Sequence, residues 1–294
     1  MSTSKLSSEP AIAVVGVDEK EPADFAVAAA HALAEPLKLS VELVHAAPVP
    51  LDYFSHVDPL GIERARAAAA QRWSKLLDGA GVSASSIAAS LEIVPGKPAE
   101  VLVEQARTRG AELIVLGRHQ KRAALDFGDV VRDVVVHADR AVWVQAGAPR
   151  KIRRVLCPID LAPGSLEVLV LARDVARALG AELVALHCFV RPQLGFLLGY
   201  PVQFPAAMID TARDTAEREF RRMLEPFDWR GVLHRRLFYE AEPAIELVSL
   251  QDEFDLIVLG THGRTGVAKA LLGSVAAELL RKADIPVLVL PRAR

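Results

Sequence analysis

Short apolar runs recur along the whole chain, separated by longer stretches that are Ala-rich or charged and have helical spacing. Aliphatic runs of about four to eight residues between helices are typical of buried parallel strands. The pattern predicts an α/β fold, with strands and helices alternating in each half around a doubly wound parallel sheet. The predicted strands are at residues 11–18, 40–45, 91–96, 111–117, 141–145, 154–160, 181–187, 237–243, 254–260 and 286–290, and the clearest helices at 23–34, 62–77, 165–179 and 206–224.

The two halves of the chain repeat one another. Residues 11–18 and 154–160 are both apolar strands that end in Asp, and the second strand of each half ends in His. The fourth strands match closely, as ELIVLG at 112–117 and DLIVLG at 255–260. Two unrelated Rossmann-like halves are the alternative, but the shared Val-Leu-Gly favours a true repeat. A polar, Pro-containing join at 145–151 divides the chain into two predicted domains, 1–147 and 148–294.

Composition narrows the class of protein. The chain of 294 residues is 51% hydrophobic but only 5% aromatic, which indicates a core built from Ala, Val, Leu and Ile. A net charge of −2 gives no electrostatic case for nucleic acid as a partner. No run approaches the roughly 18 apolar residues of a membrane span, and the polar N-terminus lacks a signal-peptide core. We therefore expect a cytoplasmic protein whose two cysteines stay reduced.

The most distinctive stretch of the sequence follows the predicted strand that ends at Gly260. A loop of Gly, Thr, His and Arg leads to Gly273, and Ser274 is in the position of an N-terminal cap for the next predicted helix. Glycines let the backbone approach an anion, and the first-turn amides and dipole of a helix attract it. The spacing is Gly, two residues, Gly, nine residues, Gly-Ser, which differs from the Walker A and dinucleotide-binding signatures. The stretch predicts a phosphate site.

Together with the strand before it, the helix after it and the strand at 286–290, this spacing resembles the nucleotide-binding signature of the universal stress protein family. The repeat extends the resemblance over nearly the whole chain, as a tandem member. The resemblance implies two Rossmann-like domains of the adenine nucleotide alpha hydrolase type. Each would hold a five-stranded parallel sheet of order 3-2-1-4-5 flanked by helices, and the last strands of the two domains would pair.

In a sheet of that order, the ligand crevice lies at the carboxyl ends of strands one and four. The resemblance implies that the end of strand one and a small residue after the His of strand two hold the adenosine, while the Gly-Ser turn holds the phosphates. The ligand would be ATP or another adenine nucleotide, with Mg²⁺ as a candidate companion; no catalytic residue and no protein metal ligand is assigned. The implied binding residues are Pro158, Ile159, Asp160, Cys188, Leu259, Gly260, Gly263, Arg264, Gly273, Ser274 and Val275.

Several of these residues have simpler interpretations. Asp160 could only cap the helix that follows it. His187 is more typical of a hydrogen-bonded structural group than of a ligand contact. Arg264 could reach a phosphate or be a solvated loop residue, and the neighbouring His262 is not assigned a catalytic role.

The first half keeps the scaffold of the repeat and loses the motif. Gln120 stands where the second half has Gly263, and Asp129 stands in place of Ser274. A carboxylate at a helix N-terminus occupies the place of a phosphate and repels it. The loop at 118–122 is still basic, so an anion contact there stays open. We expect that only the second half binds nucleotide.

The leading hypothesis is a universal stress protein that binds ATP in its second domain and acts as a nucleotide-dependent regulatory or stress-response protein. One alternative is a slow ATPase or phosphoryl-transfer enzyme on the same fold, and another is an interaction scaffold that binds no nucleotide. The protein partner is not identified by the sequence, and a homodimer is a candidate. The apolar segment 189–204 could be a flap, a subunit contact or a ligand lid, but packing onto the neighbouring domain is favoured.

Overall fold

The structure of the protein is a computed structural model, and the description is restricted to part of the chain. The described residues are 10–18, 20–47, 61–77, 82–118, 129–162, 164–192, 196–197, 200–201, 204–261 and 272–291.

The first half of the chain alternates strands and helices as the apolar pattern predicts. Its elements are β1 (Ala11–Gly16), α1 (Glu21–Leu37), β2 (Leu39–Ala47), α2 (Gly61–Leu76), α3 (Ala84–Ser90), β3 (Leu91–Pro95), α4 (Pro98–Thr108), β4 (Leu113–Gly117), α5 (Asp129–His137) and β5 (Ala141–Gln145). The short helix α3 was not predicted; the Ser83 hydroxyl caps it by accepting a hydrogen bond from the Ser86 amide at 3.1 Å.

The second half repeats this order. Its elements are β6 (Arg154–Pro158), α6 (Ser165–Leu179), β7 (Glu182–Phe189), β8 (Phe196–Leu197), β9 (Tyr200–Pro201), α7 (Ala206–Leu224), β10 (His234–Glu240), α8 (Pro243–Ser249), a 3₁₀ turn (Leu250–Glu253), β11 (Leu256–Gly260), α9 (Ser274–Lys282) and β12 (Val287–Leu290). Helices α6 and α7 have the predicted bounds, and β10 begins three residues earlier than predicted. The apolar segment 189–204 contains the small β8–β9 hairpin, and most of its remainder lies outside the described residues.

One ten-stranded sheet runs through both halves, in the order β10-β7-β6-β11-β12-β5-β4-β1-β2-β3. Within each half the strands are parallel and follow the order 3-2-1-4-5, which confirms the fold expected from the resemblance. The last strands, β5 and β12, pair antiparallel with Trp143 opposite Leu288. This pairing covers two strand edges that would otherwise be open.

Helices cover both faces of the sheet because strand side chains alternate between the faces. One core layer is buried beneath α1, α2, α3, α6 and α7, and the other beneath α4, α5, α8 and α9. Both layers consist mostly of Ala, Val, Leu and Ile, and full burial of one such large aliphatic side chain stabilises the fold by roughly 1.5–3 kcal/mol. Trp143 is buried at the junction of the halves, where its indole Nε1 donates to Gln145 Oε1 at 2.8 Å.

A side chain after β4 makes a polar contact between the halves. The guanidinium of Arg118 donates to the Arg281 carbonyl oxygen in the last turn of α9 at 2.8 Å, and it lies 3.2 Å from Asp284 Oδ1. Burial, which outweighs the contribution of Asp284, lowers the pKa of this guanidinium. Arg118 therefore contacts a helix of the second half; Lys121 and Arg122 of the same basic loop lie outside the described residues.

No helix in the part of the chain described is both long and apolar enough to cross a bilayer.

Candidate functional site

The strand order reverses at β6. This strand pairs with β7 on one side and with β11 on the other, where Val155 is opposite Leu256 and Leu156 opposite Ile257. The carboxyl ends of β6 and β11 therefore meet at one edge of the sheet. A crevice at such a point is the usual ligand site of an open parallel sheet, and we refer to it as the β6–β11 crevice.

Asp160 is the second residue after β6 and is half-buried. Its Oδ1 accepts hydrogen bonds from the Ala162 amide at 3.0 Å and from the Ser165 hydroxyl, which holds the turn into α6. The helix-cap interpretation is wrong, because the N-cap position of α6 is Gly164 and has no side-chain hydrogen bond. Asp160 Oδ2 is buried and has no hydrogen-bond partner among the described residues. A buried acceptor without a donor costs free energy, so a donor to this oxygen would stabilise the site.

His187 supports the same turn from beneath. Its Nδ1 donates to the Ile159 carbonyl oxygen at 2.6 Å, and its ring packs between Phe220 and Phe238, with centroids 5.8 and 5.5 Å away. A carbonyl oxygen only accepts, so this bond puts the proton on Nδ1. The Ile159 side chain is buried, and its amide donates to Leu186 at 2.8 Å. The structural role proposed for His187 is confirmed, and Ile159 supports the crevice through its backbone.

The two cysteines lie on opposite faces of the sheet and neither forms a disulfide. Cys157 is fully buried, which raises the pKa of its thiol. Cys188 is half-buried against the α8 side, and burial, followed by the charges of Glu246 and Glu242, raises its pKa to about 12. Both thiols are therefore protonated near neutral pH, and Cys188 presents a small uncharged surface near the end of β7.

The ends of the loop after β11 are tied together. The Thr261 amide donates to the Leu290 carbonyl at 3.2 Å, and the Gly273 amide donates to the Thr261 carbonyl at 2.8 Å. This second bond brings the start of α9 to the end of β11. It also engages the Gly273 amide within the protein, so this N–H does not point to a free anion. Gly260, the last residue of β11, lies at this same edge.

The N-terminus of α9 offers amides to an anion. Ser274 is the first helical residue, and the N-cap is Gly273, which has no side-chain hydrogen bond. The prediction that Ser274 caps the helix was therefore wrong by one position. The helix is first closed by Ala277 N donating to Gly273 O at 2.9 Å, so the amides of Ser274, Val275 and Ala276 precede its first internal bond. The first turn has no acidic residue and the last turn holds basic ones, which favours an anion at the N-terminus.

The structure thus brings nine of the eleven predicted site residues to the carboxyl edge of the second half's sheet. Leu259 is buried beneath this edge and contributes packing. Gly263 and Arg264, together with His262, lie outside the described residues. Within the described ranges, no group of three or more His, Cys, Asp or Glu side chains is placed to hold a metal ion.

In the first half, the end of β4 is in close contact with the first turn of α1. A Cβ added to Gly117, the counterpart of Gly260, would lie 1.9 Å from the Pro22 carbonyl oxygen, so the first turn of α1 rests on the end of β4. Sequence reasoning missed this contact. Its signal was the short connection after β1: α1 begins at Glu21, whereas α6 begins two residues later in its own repeat. Helix α5 begins at Asp129, the helical position that Ser274 has in α9.

Comparisons with known proteins agree with this architecture. The model of the universal stress protein family matches residues 12–145 and again 151–291. Universal stress protein MT2698 of Mycobacterium tuberculosis is 28% identical over 94% of this chain and 95% of its own length. Universal stress protein Rv2005c of the same species is 31% identical over 67% of each chain. A universal stress protein structure from Archaeoglobus fulgidus covers 96% of this chain and 98% of its own, with a TM-score of 0.63 at 16% identity.

Proposed function

Because the chain belongs to the universal stress protein family, we propose that its second half binds an adenine nucleotide, ATP before others, in the β6–β11 crevice. The observation that carries the proposal is Asp160 Oδ2, a buried carboxylate oxygen without a partner in the described part of the chain. It lies at the same edge of the sheet as the first-turn amides of α9. One group needs a donor and the other needs an anion, and an adenosine phosphate supplies both.

In this proposal, different residues contact the base, the ribose and the phosphates of the nucleotide. Asp160 accepts from a ribose hydroxyl or an adenine amino group, and Cys188 and Pro158 contact the base. The amides of Ser274 and Val275, with the Ser274 hydroxyl, donate to the phosphates. Gly260 and Gly273 keep the backbone close to the ligand. Gly263 and Arg264 are assigned to the phosphates from the sequence motif alone.

The first half has a structural role in this proposal. We propose domains at 1–147 and 148–294, with the first domain binding no nucleotide. Pro22 rests on Gly117, so backbone covers the strand end that a ligand would approach. Asp129 is the first residue of α5, and an acidic residue at a helix N-terminus disfavours a bound phosphate. The first domain then serves the second through the paired strands β5 and β12.

The role that follows is regulatory, since nucleotide occupancy changes the surface that the second domain presents. Phosphoryl transfer requires a positioned base and carboxylates that hold a metal ion. Among the described residues of the crevice, Asp160 is the one group that could serve in such a role. Mg²⁺ would be held mainly through the phosphates of the nucleotide, which needs few protein ligands.

The test begins with the purified protein. The protein is denatured, and released nucleotide is identified by chromatography and mass; the expected result is about one adenine nucleotide per chain. If the protein is purified empty, calorimetry with ATP and magnesium should give one site. Ser274→Asp should abolish binding, because it places a carboxylate at the phosphate position. Ser85→Asp, which adds the same charge at the exposed N-terminus of α3, is the matched control and should bind normally.

Other outcomes are equally informative. Two nucleotides per chain would overturn the assignment of an empty first domain. Binding that survives Ser274→Asp would overturn the site. An empty protein that also fails to bind added ATP would reject nucleotide binding and leave an interaction scaffold.

A further inference from the structure

A cationic groove lies on the second half, away from the β6–β11 crevice. Arg218, Arg221, Arg222 and Glu225 line it from one face of α7 and the residue after it, with helical spacing of three and four residues. Arg236 lines it from the neighbouring strand β10. The groove has a volume of about 360 Å³, which lies in the lower part of the range of small-ligand sites. Four arginines and one glutamate thus line one groove in a protein whose net charge is −2.

The charges on α7 serve the stability of the helix only in part, because Arg221 and Arg222 lie in its favourable last turn but not all of its arginines are paired. Arg218 and Arg222 are four residues apart, and like charges at this spacing repel one another. Arg221 is paired with Glu217 at 2.6 Å, and Arg218 donates to the Thr215 hydroxyl at 3.0 Å. Arg222 has no ion pair or hydrogen bond within the described residues. Its charge is therefore left to solvent or to a ligand.

Arg236 is held in place from two sides. Its Nη2 lies 3.4 Å from the Leu224 carbonyl oxygen at the end of α7, and its guanidinium carbon is 5.6 Å from the centre of the Trp229 ring. A guanidinium that is already positioned loses less entropy when it binds an anion. The groove therefore combines fixed donors from β10 with a free one from α7.

The groove is separate from the nucleotide crevice. Arg236 is the third residue of β10 and is opposite Ala185 in β7, whereas the crevice lies at the carboxyl ends of β6 and β11. Strand β10 is at the edge of the sheet, two strands from β6. A ligand in the groove would therefore not occupy the nucleotide site.

We propose that the groove formed by Arg218, Arg221, Arg222 and Arg236 binds a compact polyphosphate, such as the di- or triphosphate group of a small metabolite. Arginine forks donate two parallel hydrogen bonds to phosphate oxygens, and four of them around a small groove suit a ligand with several adjacent phosphates. Glu225 also lines the groove, and its carboxylate repels an anion that reaches it, which limits the length of the bound chain. The proposal does not depend on ATP binding in the crevice.

The test uses sodium tripolyphosphate as the probe and calorimetry as the readout. The full-length Ser274→Asp variant provides the background, because it closes the proposed phosphate position in the crevice. We expect one tripolyphosphate per chain, with an affinity that falls as salt is raised from 50 to about 200 mM because the contacts are electrostatic. Arg222→Gln should weaken binding about 10-fold, and the double change Arg218→Gln with Arg222→Gln should remove it. Arg132→Gln on α5, an exposed arginine of the first half, is the charge-matched control and should bind as the background does.

Four results would overturn the proposal. Binding that is unchanged by Arg222→Gln places the probe elsewhere. An equal loss in Arg132→Gln shows attraction to overall charge alone. Binding that occurs without Ser274→Asp and disappears with it assigns the probe to the crevice. Tighter binding of a poly-glutamate peptide than of tripolyphosphate would assign the groove to an acidic protein segment. The arginines are exposed, so their replacement should leave the melting temperature unchanged, and circular dichroism checks this.

Discussion

At the scale of single residues, Asp160 shows how one side chain serves the fold and the proposed site together. Oδ1 holds the turn between β6 and α6, while Oδ2 is buried with no partner among the residues described. An unsatisfied buried acceptor costs about 1–3 kcal/mol. Under the proposed function, a nucleotide that donates to Oδ2 would supply the missing partner.

We expect Asp160→Asn to weaken ATP binding about 10- to 100-fold, since a hydrogen bond to a charged group contributes about 1.5–3 kcal/mol. The amide is nearly isosteric and its oxygen can still accept from Ala162, so the melting temperature without ligand should change little. Calorimetry and thermal unfolding measure the two effects. Asp252→Asn, at an exposed position, is the control. An unchanged dissociation constant would remove Asp160 from the site.

Cys188 gives a second prediction at this scale. Its pKa of about 12 leaves roughly one part in ten thousand as thiolate at pH 8. The thiolate is the reactive form. A raised pKa therefore keeps Cys188 unreactive at a pH well below the pKa, and its reactivity increases as the pH approaches the pKa. We expect iodoacetamide to label Cys188 slowly at pH 7.5 and faster above about pH 10, with Cys157 labelled only on unfolding. Peptide mass spectrometry follows both sites. Rapid labelling of Cys188 at pH 7.5 would contradict the prediction.

At the scale of elements, the first turn of α1 packs closely on the end of β4 in the first half. The Pro22 carbonyl oxygen packs so closely against Gly117 that there is no room for a methyl group on this residue. Overpacking of this kind costs about 1–3 kcal/mol or more. We expect Gly117→Ala to lower the free energy of unfolding by at least about 2 kcal/mol, measured by urea denaturation. Gly164→Ala, where nothing lies within 4 Å and φ is ordinary, should stay within about 0.5 kcal/mol. Equal effects of the two changes would contradict the close packing.

Some features of this fold can be predicted from the sequence, and others cannot. Apolar runs and the repeat located the strands of both halves, because burial imposes a strong local pattern. The strand order came with the family resemblance. The Pro22–Gly117 contact and the bonds of Arg118 depend on segments far apart in the chain, and no local pattern marks them. The start of α9 was predicted one residue late, because a Ser after Gly is compatible with either the N-cap or the first helical position. The roles of Gly263 and Arg264 stay predictions.

At the scale of the whole molecule, the first domain holds the second by its last strand and by Arg118. The two contacts of this guanidinium contribute differently to stability. Asp284 is 75% exposed, so the ion pair contributes little. The bond to the Arg281 carbonyl is stronger, because the Arg118 side chain is only 14% exposed and the carbonyl is at the negative end of α9. The first domain therefore stabilises the C-terminus of the helix whose N-terminus faces the proposed nucleotide.

We expect Arg118→Met to lower the free energy of unfolding by about 1.5–3 kcal/mol, since it removes charge-assisted donors and keeps the aliphatic stem. Asp284→Asn should cost less than about 0.5 kcal/mol, because an exposed ion pair is screened by solvent. Scanning calorimetry should also show the Arg118→Met transition broaden or divide as the two domains uncouple. Arg132→Met, on the surface of α5, is the control. A loss in Asp284→Asn as large as that in Arg118→Met would show that the ion pair, and not the helix carbonyl, joins the domains.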